Sequence, residues 1–75
     1  MIHLIFSKNG ARMCFKNAAR PDDLFFAAPE ALERINLFEL RRYLRGRDFT
    51  IEPLNRRGVE KLTAALLQDK TVSWY

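Results

Sequence analysis

The chain holds a single cysteine, Cys14, the one side chain in it with a distinctive nucleophilic chemistry. Arg12 and Lys16 flank it two residues to either side, and it falls in the second turn of an expected helix. Positive neighbours and a helix N-terminus both favour the thiolate, which is the reactive form. Cys14 is therefore a candidate catalytic or carrier residue that could take up and release a persulfide sulfur, with Arg12 and Lys16 as thiolate-stabilising neighbours. A second reading fits the same spacing. Ala11, Cys14, Phe15 and Ala18 form one apolar helical stripe, on which a free cysteine acts as a small hydrophobe. The residues alone leave both readings open.

Little other chemistry is present. His3 is the only histidine, and it lies in an apolar run near the start of the chain, where a structural or supporting role is expected. Gly10, Gly46 and Gly58 are isolated, so neither a P-loop nor a dinucleotide fingerprint is present. One His and one Cys cannot supply a zinc site, and the sequence implies no metal and no cofactor. A self-sufficient enzyme is not expected. One cysteine cannot close an internal disulfide and suits a reducing compartment. No segment approaches the ~20 apolar residues of a membrane span. The expected location is cytoplasmic.

Thirteen Lys and Arg against nine Asp and Glu give a net charge of +4. Arg41, Arg42, Arg45 and Arg47 form one basic group, and Arg56, Arg57 and Lys61 a second. Such a surface attracts nucleic acid or an acidic protein. On that reading Arg41, Arg42, Arg45, Arg56 and Arg57 are the basic patch. The plainer reading is a solvated helix face interleaved with Glu33, Glu39 and Glu60. Hydrophobic residues make up 48% of a chain of 75 residues. A domain this small hides them incompletely, so a subunit interface is expected. Trp74 and Tyr75 either lock the last strand or lie in that interface, where both types are enriched.

The elements that must position these residues follow from period and punctuation. Residues 2–6 read as a buried strand, followed by a turn and N-cap at Ser7-Lys8-Asn9-Gly10. A helix runs from Ala11 until Pro21 stops it. Leu24 to Ala28 is a second strand, after which Pro29 suits a helix start. Asn36 and Glu39 resemble a capping box, giving a short turn over 30–34 and a main helix over 37–45 that ends at Gly46. Phe49 to Leu54 is a third strand, Asn55 caps a helix carrying Val59, Leu62, Ala65 and Leu66, and Thr71 to Tyr75 is a fourth strand. The order β-α-β-α-β-α-β predicts one small α/β domain over residues 1–75 with a mostly parallel sheet.

Several segments resemble the DsrH/TusB family of sulfur-relay subunits. They are Met1-Ile2-His3-Leu4 with Ser7 beyond, Cys14-Phe15-Lys16 with Ala18, and Asp22-Asp23-Leu24-Phe25-Phe26. Phe49 to Leu54 with Arg57-Gly58-Val59, the helix at Val59 to Thr63, and Val72-Ser73-Trp74 complete the likeness. The resemblance implies a DsrE-like fold and a hetero-oligomer with DsrE/TusD-like and DsrF/TusC-like subunits. It further implies a non-enzymatic role as persulfide carrier or accessory subunit, in TusB-containing systems toward 2-thiouridine in tRNA. Cys14 places the chain nearer DsrH. The alternative function is a small basic nucleic-acid-binding or protein-interaction module, for example an inhibitor of the phage type.

Overall fold

The computed structural model describes residues 1–75. Four strands, β1 (Ile2–Ile5), β2 (Leu24–Ala27), β3 (Ile51–Pro53) and β4 (Thr71–Trp74), form one sheet in the order β3-β2-β1-β4. All three pairings are parallel, with His3 opposite Phe25 and Val72, and Ile5 opposite Ala27 and Trp74. The helices are α1 (Lys8–Asn17), α2 (Pro29–Leu32), α3 (Leu37–Arg41) and α4 (Arg56–Leu66), with a 3-10 turn at Arg42–Leu44 continuing α3. The expected α/β class and parallel sheet are thus present. No helix is long and apolar enough to cross a membrane.

Local chemistry explains the helix starts. Ser7 accepts from the Gly10 N–H at 2.8 Å, Asn36 from Phe38 and Glu39, and Asn55 from Gly58 at 2.9 Å. Each cap satisfies amide donors that the first turn leaves without a helical partner. The Ser7 cap corrects one expectation: α1 begins at Lys8, so Lys8-Asn9-Gly10 is its first turn and not a loop. The helix over 37–45 is likewise shorter, because α3 tightens into the 3-10 turn and then stops at Arg45, whose φ is +55°.

The two sheet faces are filled unequally. One carries His3, Ile5, Phe25, Ala27 and Ile51 against Ala11, Cys14 and Phe15 of α1 and Leu40 and Leu44 of the α3 region. Phe15 stacks on Phe25 at 4.7 Å and meets Phe49 at 4.8 Å, an aromatic column through the middle of this core. Phe15 and Phe25, both almost fully buried, each contribute roughly 1.5–3 kcal/mol by leaving water. On the other face Ile2 and Phe26 are buried, and α4 crosses from β3 at one edge to β4 at the other. A right-handed crossover requires that placement.

Gly58 lets α4 start so close to β3. A Cβ there would lie inside the van der Waals shell of the Pro53 carbonyl oxygen. In an open helix, alanine in place of glycine is stabilising by about 1 kcal/mol. Here Gly58→Ala is expected to destabilise by about 1–3 kcal/mol, the range for overpacking. Urea unfolding checks this; an unchanged or raised midpoint would show that α4 does not press on β3.

Candidate functional site

Cys14 is fully buried, on the inner side of α1 between the sheet and the 3-10 turn region. Burial pushes its thiol up to about 12, and the carboxylate of Asp23 pushes in the same direction. The anticipated thiolate-stabilising pair is not in place. Arg12 points outward and grips Glu39 of α3 at 2.7 Å, and Lys16 is exposed and makes no ion pair. Residues two positions away on a helix lie on different sides of it, so flanking charge in the sequence does not become charge at the sulfur. The correction is physical: an apolar seat outweighs a helix start nearly two turns away.

His3 is also fully buried, and both of its ring nitrogens are occupied. The Trp74 indole N–H donates to Nδ1 at 3.1 Å, and Nε2 lies 2.8 Å from the Asp23 carboxylate. An indole nitrogen only donates, so Nδ1 must accept and the ring proton sits on Nε2, donated to Asp23. Asp23 also accepts the Arg20 backbone N–H and pairs with the Met1 amino group. Burial alone would raise the Asp23 carboxyl. The bonds from His3, the Met1 amine and Arg20 outweigh it and hold that carboxyl below its ordinary range. Every partner of His3 is thus internal, and the expected structural role is the one its geometry fits. Trp74 belongs to this network and packs on the core, which is the strand-locking role of the two expected for it. Tyr75 is 81% exposed and stacks on Phe6 at 5.0 Å.

The basic patch is rearranged as well. Arg41 is spent on Asp48 at 3.0 Å and on the Gly46 carbonyl. Arg56 and Arg57 open α4 beyond the carboxyl end of β3, whereas Arg42 and Arg45 precede its amino end. The five residues therefore do not form one surface. A different set converges. Arg20, at the exit of α1, comes together with Arg45 and Arg47 from the segment before β3, and Tyr43 completes the wall of a cleft of about 300 Å³. No carboxylate lines it, and none of the three guanidiniums has an ion-pair partner. Arg20 escapes a reading by spacing, since only the return of α3 along α1 brings it beside Arg45, and Tyr43 lies inside the arginine group itself.

Arg45 holds a left-handed backbone conformation, φ +55° and ψ +37°, the only non-glycine residue in the chain to do so. A side chain there costs roughly 1–2 kcal/mol relative to the right-handed form. The turn is closed by Gly46 N–H donating to the Arg41 carbonyl at 2.9 Å and Arg47 N–H to the Leu44 carbonyl at 3.1 Å. No group of three His, Cys, Asp or Glu side chains is placed to hold a metal ion. No family model, curated protein or solved structure matches the chain.

Two outcomes follow for Cys14. Native protein should react with a thiol reagent only at the rate of unfolding. Cys14→Ser should destabilise by about 1–3 kcal/mol, because it buries a hydroxyl without a partner. The folded thiol keeps its proton to about 12 while the ordinary value is 9.0. Its contribution is complete below pH 9 and is lost as pH rises toward 12. The alkaline fall in stability should therefore be shallower in Cys14→Ala than in the parent chain. Rapid labelling of the native thiol would contradict this account.

Proposed function

We propose that the chain is a non-enzymatic nucleic-acid-binding module of the cytoplasm, using the basic cleft at the amino end of its sheet. The observation that carries this reading is the sorting of charge. Of the thirteen basic side chains, Arg12, Arg41 and Lys61 are neutralised in ion pairs and ten are not. Five of the nine acids are occupied: Glu39, Asp48 and Glu52 by those cations, Asp23 and Asp69 by the Met1 amino group. The net charge of +4 thus rests on unpaired cations, and three of the free arginines line one depression with Tyr43. Guanidinium planes bond phosphate oxygens in pairs and stack on bases, which an ammonium cannot do.

The resemblance to sulfur-relay subunits is carried forward in its accessory form, in which a partner subunit holds the persulfide. Exposed apolar side chains support it: Phe38 is 79% and Leu67 88% exposed, and a partner would cover them. The carrier form is not proposed, since the sulfur of Cys14 has no path to a donor or acceptor without opening the core.

Fluorescence anisotropy with a labelled oligonucleotide tests the nucleic-acid reading. The logarithm of affinity should fall linearly with the logarithm of salt, at about 0.7 per phosphate neutralised on a single strand. Arg45→Ala with Arg47→Ala should flatten that slope by roughly one to two phosphates. Binding that ignores salt, or no binding at low salt, would dispose of the proposal.

A further inference from the structure

The proposed function leaves open which form of nucleic acid the cleft takes. Resting on that reading, we infer that the Arg20, Tyr43, Arg45 and Arg47 cleft is a single-strand site that holds one unpaired base against Tyr43 and its flanking phosphates on the arginines.

Three observations carry this. The first is shape. The cleft is a wide, open depression between the exit of α1 and the turn before β3, accessible to a splayed base lying on its surface. A duplex reader needs an element that enters a groove. Here the longest helix, α4, begins at the opposite end of the sheet, beyond the carboxyl end of β3. The second is composition. Tyr43 keeps 43% of its surface exposed while lining the cleft together with Arg20, Arg45 and Arg47. An aromatic face beside planar cations is the arrangement that stacks an unpaired base and pairs its phosphates. An acidic peptide would use the cations and leave the ring idle.

The third observation is independent of the other two. Arg45 occupies a left-handed position that glycine would fill without strain, and its side chain makes no hydrogen bond or ion pair within the protein. The conformation does not serve the fold through that side chain. It places Arg45 on the wall of the cleft, beside Arg20 and Arg47. Asp48, the nearest acid in sequence, is turned away onto Arg41 at 3.0 Å and does not quench the site. Phosphate contacts fix position and stacking favours unpaired bases, so the two parts together select single strands without selecting sequence.

The test measures anisotropy of a fluorescein-labelled decauridylate, of an RNA duplex of equal length and of an acidic peptide, for the full chain and three variants. The parent chain should bind the single strand about tenfold or more tighter than the duplex, and the peptide more weakly still. Tyr43→Leu should lose about tenfold on the single strand and little on the duplex, while Tyr43→Phe should retain single-strand binding. Arg45→Gly separates site from scaffold: it should weaken binding several-fold while the melting temperature stays level or rises. Equal binding of strand and duplex, or no effect of Tyr43→Leu, would overturn the single-strand site and leave the nucleic-acid reading standing. Preference for the acidic peptide would overturn the site in favour of a protein partner. Absence of binding to both RNAs would remove both readings, and a lower melting temperature with unchanged binding would make Arg45 a scaffold residue.

Discussion

A completely buried imidazole holds the two ends of this chain together. His3 takes a hydrogen bond from Trp74, 71 positions later, and gives one to Asp23, 20 positions later. Its ring lies parallel to that of Phe25 at 5.2 Å, so the polar network rests directly on the aromatic column of the core. A buried polar group left without its partner costs about 1–3 kcal/mol, and here three groups depend on one another. β4 is otherwise an edge strand with only partly buried residues. The Trp74 bond, together with the Phe6 N–H donating to the Trp74 carbonyl at 2.8 Å, fixes its register against β1.

That constraint settles where chemistry can occur. With β4 locked, the first turn of α1 is pinned beside it: a Cβ on Gly10 would come within 2.7 Å of the Trp74 carbonyl oxygen. Open α/β sheets commonly bind ligands beyond the carboxyl ends of neighbouring strands whose connections part to opposite faces. In this sheet the connections leaving β2 and β3 part in that way, whereas beyond β1 and β4 Phe6 is stacked on Tyr75. α1 in turn seals Cys14 against the sheet. The cysteine core is closed, and three of the unpaired arginines lie together on the connections at the amino end, where α1 gives way to β2 and the 3-10 turn to β3. Connections of this kind tolerate strain and exposure that a packed element does not.

Much of the fold was legible because it is written in local signals. Ser7, Asn36 and Asn55 mark three helix starts, and each is a cap in the structure. Alternation of short apolar runs with helical stripes gave the parallel α/β order. The boundaries were less legible: the polar first turn of α1 carries no apolar residue to extend its stripe, so Lys8 reads as loop. The site was legible only in part. Cys14 was visible both as a reactive group and as a stripe position, and the choice depended on Arg12, whose partner Glu39 lies 27 residues away. The arginine group at 41–47 was visible too. Its division was not, because Asp48 claims Arg41 and the turn swings Arg45 and Arg47 toward Arg20, and none of this is encoded in spacing along one helix.

The central claim is that binding is confined to this cleft and leaves the cysteine core untouched. Nuclear magnetic resonance of uniformly ¹⁵N-labelled protein, observing backbone amides and arginine side-chain Nε–H groups during titration with a short single-stranded RNA, tests it most directly. The account predicts that the side-chain signals of Arg20, Arg45 and Arg47 and the amide of Tyr43 shift together with one affinity, while the amides of Cys14, Phe15 and Phe25 stay in place. Shifts centred on α4 at Arg56 and Arg57, shifts spread through the core around Cys14, or no change at any arginine would contradict it.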